Sequence, residues 1–286
     1  MKILNTLVIF FLAILTSCQS KPEKTVKSEK TQKEYELIAD DDGILVEKFD
    51  STNVDENRYN HNNKIYKVGN SFKYKFQHTT PKGEIKFYRI KEDRNSWEFV
   101  DFENADSTTI KSVVIEVANG NPMVDHVPDY NQTALIYKSG SEKGYSMSGA
   151  IENEENVWIH PPRYKYFRIL ELNPFPYIKA PYQIGTKWTW NLTIGDHWAD
   201  ERWKLWEGQI ENKYVYEITD KQTLNTDLGE IECFVIQSKA ESRIGETKLT
   251  AYFNSNYGFV KLDYVNIDGS KTNLELIEHS SEKNGR

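Results

Sequence analysis

The stretch Val260-Lys-Leu-Asp-Tyr-Val-Asn-Ile-Asp-Gly-Ser-Lys-Thr-Asn-Leu-Glu-Leu-Ile277 decides the fold. Val260, Leu262 and Tyr264 alternate with Lys261 and Asp263, which on extended backbone puts the apolar set on one face and the charged set on the other. Asp268-Gly269 sits between two such runs. It reads as the two-residue type I′ turn of a hairpin, in which both central residues need positive φ. The same period recurs outward from this point. Tyr214, Tyr216 and Ile218 alternate with Lys213 and Glu217; Trp188, Trp190 and Leu192 with Thr189 and Asn191; Phe72, Tyr74 and Phe76 with Lys73 and Lys75. Asn256-Tyr-Gly258 and Gly245-Glu246 supply turn chemistry between runs. Strands are expected near 187–194, 202–210, 213–220, 230–238, 247–254, 259–267 and 270–278, a meander. Helical periodicity is almost absent from residue 35 onward. The fold class is all-β: antiparallel meander sheets in a curved or half-open barrel.

The first half carries an echo of the second. Tyr66-Lys-Val-Gly-Asn-Ser-Phe-Lys-Tyr-Lys-Phe76 aligns without gaps to Tyr182-Gln-Ile-Gly-Thr-Lys-Trp-Thr-Trp-Asn-Leu192, with Tyr and Gly identical and the aromatics in phase. Gly69 and Gly185 are each expected to turn the chain into an aromatic strand. Two related halves packed as one unit follow, residues 35–160 and 183–286. Between them, residues 161–182 hold Pro161, Pro162, Pro174, Pro176 and Pro181, five of the nine prolines. Proline lacks a ladder donor, so this stretch is expected at an edge or as a crossover.

Composition sets the outer bounds. The 286 residues are 38% hydrophobic, which suits a thin core or a sheet wet on one face, and 13% aromatic, which a disordered acidic chain lacks. A net charge of −7 offers no basic footprint, so nucleic acid is not an expected partner.

The N-terminus reads as an address. Lys2 is followed by the uninterrupted apolar run Leu7–Leu15, nine residues where a spanning helix needs about 20. That length suits the h-region of a secretory signal. The run ends in Leu15-Thr16-Ser17-Cys18, which resembles the lipobox of bacterial lipoproteins. The resemblance implies cleavage after Ser17, residues 1–17 being the signal peptide, and acylation of Cys18, which makes a membrane the partner. Two acyl chains suffice for stable anchoring. Gln19 after that cysteine, where Asp favours inner-membrane retention, implies the outer membrane. Residues 18–34 read as a tether: Lys21, Lys24, Lys27, Lys30 and Lys33 recur among polar residues, and Val26 is the lone aliphatic between Gln19 and Glu34. The first 34 residues carry +3, leaving −10 on residues 35–286. With Cys18 lipidated, Cys233 has no disulfide partner and is expected as a small buried hydrophobe.

The span 182–278, with Gly185-Thr-Lys-Trp-Thr-Trp190 at its start and Tyr257-Gly-Phe-Val260 near its end, resembles β-rich cell-envelope lipoproteins of unknown function. That resemblance implies curved antiparallel sheet and an envelope role, and brings no catalytic residues with it. The chemistry-bearing cluster is Gly195-Asp-His-Trp-Ala-Asp-Glu-Arg-Trp-Lys-Leu-Trp206. Asp196, His197, Asp200 and Glu201 beside Trp198, Trp203 and Trp206 are candidates for a glycan site, the indoles stacking on sugar rings; the alternative is core tryptophan under a solvated loop. Asp200 and Glu201 are adjacent, so on a strand they point to opposite faces and cannot both address one glycosidic bond unless they lie in a loop. His160 and Arg163, around the rigid Pro161-Pro162 pair and near Trp158, are a second candidate surface; the favoured alternative is a structural role, Trp158 packing to fix the crossover while Arg163 pairs with a carboxylate. The two-His spacing of a zinc site is missing, and the acidic runs Asp40–Asp42 and Asp50–Asp55 lack EF-hand spacing, so no metal is expected. No cofactor fingerprint appears. The expected function is a noncatalytic binding or scaffold lipoprotein with a glycan or lipid ligand; the alternative is a glycan-acting hydrolase or a carbohydrate-binding lipoprotein.

Overall fold

The period-two segments become sixteen strands in the computed structural model, which describes residues 35–49, 55–93, 95–127, 129–139 and 145–281, all of them within one unit, Glu34–Arg286. They are β1 (Tyr35–Ala39), β2 (Leu45–Phe49), β3 (Asn70–Thr79), β4 (Ile85–Ile90), β5 (Trp97–Asp101), β6 (Ser112–Val117), β7 (Thr133–Ser139), β8 (Tyr145–Glu152), β9 (Asn156–Ile159), β10 (Tyr177–Lys179), β11 (Lys187–Ile194), β12 (Ile210–Thr226), β13 (Gly229–Ser242), β14 (Gly245–Asn254), β15 (Gly258–Val265) and β16 (Lys271–Ser281). The signal, tether and Cys18 readings lie outside the described residues.

Twelve strands follow one another in an antiparallel sheet in the order β10-β9-β8-β7-β6-β3-β16-β15-β14-β13-β12-β11, which curls into a nearly closed barrel; β4 and β5 branch from β3, and β1 and β2 form a separate hairpin. Closure comes from side chains where the ladder stops. Tyr177 on β10 packs 5.6 Å from Trp188 on β11, and Trp158 on β9 lies 6.1 Å from Trp190. Cross-strand aromatic pairs bind β11 to β12, with Trp188 stacked on Tyr216 at 5.3 Å and Trp190 on Tyr214 at 4.7 Å. The alternation behaves as the sequence implies. Along β12, Ile210, Tyr214, Tyr216 and Ile218 are buried while Glu211, Lys213 and Val215 face water. Register shifts at Ile218/Asp220 and Leu276/Glu278 add the local bends that curve the sheet.

The barrel is filled by chain as well as by side chains. After β9 the proline-flanked segment enters as a 3-10 turn, Lys165–Leu172, whose Tyr166, Phe167, Ile169, Leu170 and Leu172 are all buried. Phe167 packs edge-on against Phe76 at 5.0 Å and Tyr88 at 5.6 Å. Each such side chain contributes about 1.5–3 kcal/mol by leaving water. Cys233 is buried, and burial, with Glu232 beside it, pushes its thiol up to about 12.

Two local expectations are corrected. The hairpin at Asp268-Gly269 has a three-residue loop in place of a two-residue type I′ turn. Asn266 N–H donates to Ser270 O at 2.8 Å and closes the loop on residues 267–269, Gly269 N–H donates to Asn266 O at 3.0 Å, and among the described residues near the turn only Gly269 has positive φ (81°). The Asp268 carboxylate favours this wider form by accepting from Ser270 N–H and Oγ–H at 3.0 and 2.6 Å. The strand expected at 202–210 is a loop. Trp203 and Trp206 are both buried at a spacing of three, which a period of two cannot satisfy, and Lys204 N–H folds back onto Asp200 O at 2.9 Å. The two echoed segments share their entry, Gly69 and Gly185 having φ of 87° and 94°, yet β3 sits inside the sheet and β11 at its end.

Candidate functional site

The long β11–β12 connection holds most of the acidic and tryptophan-rich candidates, and the structure ties both of its aspartates that the sequence nominated to donors within the loop. Asp196 accepts from Gly208 N–H at 2.8 Å and closes the loop on itself. Asp200 accepts from Arg202 Nε at 2.7 Å and from Arg202 N–H at 3.0 Å, and a second guanidinium nitrogen reaches its other oxygen. Burial alone would raise the Asp200 carboxyl, but these bonds hold it below the usual carboxylate range. Arg202 lies over the Trp97 ring at 4.0 Å, and Arg168 donates to the His197 carbonyl while covering Trp198 at 5.1 Å. Trp203 donates Nε1–H to Trp198 O at 3.3 Å; Trp203 and Trp206 are buried, and Asp196, His197 and Glu201 are exposed. The loop's charges pin it to the barrel. Among the described residues no three His, Cys, Asp or Glu side chains are grouped to hold a metal ion.

His160 and Arg163 occupy different ground, a cleft of about 440 Å³ where the barrel seam meets the β1–β2 turn. Its floor is the aromatic closure itself, Trp158, Phe175 and Trp190, with Gly149 of β8 beside them. Asp40, Asp41 and Asp42 form one wall and Met123, Val127 and Asp129–Gln132 the other, the two joined where Asn131 Nδ2 donates to Asp40 Oδ2 at 3.2 Å. Gly149 is required by close approach: a Cβ there would stand 1.9 Å from Gln132 Oε1 and 2.3 Å from Tyr130 Oη. His160 packs on Phe175 at 4.6 Å. Its Nδ1 lies 2.8 Å from Pro161 O and its Nε2 3.4 Å from Glu171 Oε2, so both ring nitrogens face oxygen acceptors and a proton on each gives an ion pair with a carboxylate. Arg163 donates to Met147 O at 3.3 Å. Desolvation at the wall, followed by the charges of Asp40 and Asp41, pushes the Asp42 carboxyl above its ordinary value although the residue itself sits at the exposed rim.

The sequence nominates His160 and Arg163 beside Trp158 as one surface and Asp40–Asp42 only as an acidic run without metal-site spacing; nothing local places the two together. Glu171 and Phe175 go unnominated, because nothing in the sequence of a buried 3-10 segment announces that it runs beneath a sheet seam. A second cleft, about 470 Å³, is lined by Glu152, Lys64, Ile65 and Tyr182 among others. There Glu152 is buried and accepts the backbone N–H groups of Lys64, Ile65 and Tyr66 at 2.6 to 3.1 Å, an arrangement that folds the chain ahead of β3 and leaves the carboxylate engaged.

No family model matches the chain, and neither does any curated protein. Solved structures share its chain trace in part. An exported protein with a YmcC-like fold from Bacteroides fragilis NCTC 9343 has 11% identity and a TM-score of 0.41, over 76% of this chain and 98% of its own. A lipoprotein from Parabacteroides distasonis ATCC 8503 has 8% identity and a TM-score of 0.41, over 77% and 100%. The hypothetical lipoprotein YmcC from Escherichia coli K12 has 8% identity and a TM-score of 0.33, over 75% and 88%.

Proposed function

We propose that the chain is a noncatalytic binding lipoprotein of the cell envelope, held in the outer membrane by acyl chains on Cys18, and that it takes a glycan in the cleft between Asp40–Asp42 and His160–Arg163. The anchor rests on the Leu15-Thr16-Ser17-Cys18 quartet after a nine-residue apolar run, and on the polar stretch that follows it. One observation carries the ligand: two buried indole N–H groups on residues lining this cleft, Trp158 Nε1 and Trp190 Nε1, have no hydrogen-bond partner among the described residues. Other such groups, Tyr264 Oη among them, lie in the closed core, but these two belong to residues that line an open cleft. Each group costs roughly 1–3 kcal/mol while unsatisfied. The two indoles offer donors that sugar hydroxyl oxygens answer and an acyl chain does not. The volume lies within the roughly 300–1,000 Å³ usual for small-ligand pockets.

A glycan array probed with full-length protein in mild detergent tests this. Retention of a saccharide, weakened by Arg163→Ala and unaffected by Asp196→Asn, is the expected result. An array without signal, or an acyl lipid found by mass spectrometry in the purified protein and displaced by no saccharide, overturns it.

A further inference from the structure

The cleft carries more negative charge than its own residues neutralise. Asp40, Asp41 and Asp42 stand on one wall, Asp129 on the other and Glu171 at the base, against the guanidinium of Arg163 and the imidazole of His160. Among the described residues, no lysine or arginine forms an ion pair with Asp40, Asp41, Asp42 or Asp129. The His160 imidazole answers Glu171 alone, and Arg163 already donates to a backbone carbonyl. An aromatic floor on one side lowers the local dielectric and lengthens the reach of that field.

Resting on the glycan reading above, we infer that the cleft selects a saccharide bearing a free, protonated amine over its neutral counterpart. An anionic sugar meets an excess of carboxylates and one occupied arginine. A bare divalent cation needs several oxygens converging at about 2.3–2.6 Å, and the acids here are distributed around the rim; no three of the described carboxylate or imidazole side chains are grouped for a metal. An ammonium group presents three diverging N–H donors and suits that spacing, while the rest of the sugar supplies hydroxyl oxygens to Trp158 Nε1 and Trp190 Nε1. The upward displacement of the Asp42 carboxyl is consistent with this: desolvation is its largest cause, the like charges of Asp40 and Asp41 add to it, and a bound ammonium relieves that repulsion. Aromatic faces at the floor add to the attraction for a cation that enters between the walls.

Titration of the full-length protein in detergent with two probes decides the matter: glucosamine oligomers with free amines, and N-acetylglucosamine oligomers of the same length, both at pH 6. The expected preference for the free amine is about tenfold or more at low salt, falling severalfold when ionic strength is raised. In the double variant Asp41→Asn/Asp42→Asn, both positions exposed at the rim, the ratio of free-amine to N-acetylated probe affinity drops to about twofold. Equal binding of the two probes by the wild type overturns the amine assignment and leaves the glycan reading standing. A preference that survives the double variant overturns the role given to Asp41 and Asp42. Binding of neither probe, with no retention elsewhere on the array, overturns both readings together.

Discussion

Acid should weaken this barrel through one buried histidine. His78 on β3 is 3% exposed, stacked on Phe99 at 4.6 Å, with Nδ1 2.8 Å from Tyr166 Oη. Its other nitrogen is engaged by the Lys271 backbone, and Tyr166 Oη lies 2.6 Å from Thr272 Oγ1, which accepts from Asn266 Nδ2 at 2.9 Å. In a consistent set of roles Nδ1 accepts from Tyr166, Tyr166 accepts from Thr272, and Thr272 accepts from Asn266, so the ring is neutral. A second proton on His78 would reverse this chain, Nδ1–H then donating to Tyr166 Oη and Tyr166 to Thr272 Oγ1, and would put a charge in the buried site. Burial is the main cause that lowers the His78 pKa from 6.5 to about 4; Asp268 opposes it and Lys86 adds to it. Because the folded value lies below the unfolded one, the unfolded chain takes up a proton first as pH falls. The contribution of neutral His78 is intact above pH 6.5 and declines through the window from 6.5 down to 4. A gap of 2.5 units between the two values corresponds to about 3 kcal/mol lost by pH 4. Urea unfolding at pH 7.5, 6, 5 and 4 on wild type and His78→Gln measures it. The variant is expected to be less stable at pH 7.5, and the difference between the two proteins to shrink by about 3 kcal/mol by pH 4. A difference that stays constant with pH, or a His78 resonance that titrates near 6.5 in the folded protein, refutes the reasoning.

Three further outcomes are expected. Glu152→Ala strands the N–H groups of Ile65 and Tyr66, both buried, and should cost roughly 2–6 kcal/mol by urea midpoint, with Glu152→Gln losing less because it keeps one acceptor oxygen. Gly149→Ala drives a methyl into Gln132 and Tyr130; those side chains must leave the cleft wall, so saccharide binding should fall at a stability cost of about 1–3 kcal/mol, read by array signal and thermal midpoint together. Intact-mass analysis of membrane-extracted wild type should show the loss of residues 1–17 with acyl mass on Cys18, and Cys18→Ala should appear unacylated and misprocessed; an unacylated soluble wild type contradicts the anchor.

The sheet was legible before any coordinates because a strand's side chains must alternate, and alternation is a local property. Trp188-Thr-Trp190 and Tyr214-Val-Tyr216 announce their faces at a separation of two, and the limits Lys187–Ile194 of β11 coincide with the apolar run. Where two local rules compete, the local reading fails. Asp268-Gly269 satisfies the composition of a type I′ turn, but Ser270 follows it and supplies donors to the Asp268 carboxylate, so the wider loop wins. Between Arg202 and Trp206 the residue types suit a strand; Arg202 instead binds Asp200 two positions back and fixes a turn. The tryptophan-rich loop attracted attention because its acids and rings are neighbours in sequence, and in space those acids are consumed by Gly208 and Arg202.

By itself, then, the sequence determined what short-range chemistry can determine: an all-β antiparallel chain, the faces of its strands, and a proline-flanked segment unfit for central ladder. Tertiary structure alone decided that β9 and β10 would meet β11, since barrel closure depends on the sum of strand twists and bends along the whole sheet. From that closure comes the cleft. Asp40, Gly149, Trp158, Glu171 and Trp190 are scattered over 150 positions of sequence, and only the curl of the sheet and the passage of the 3-10 segment beneath its seam bring them to one place.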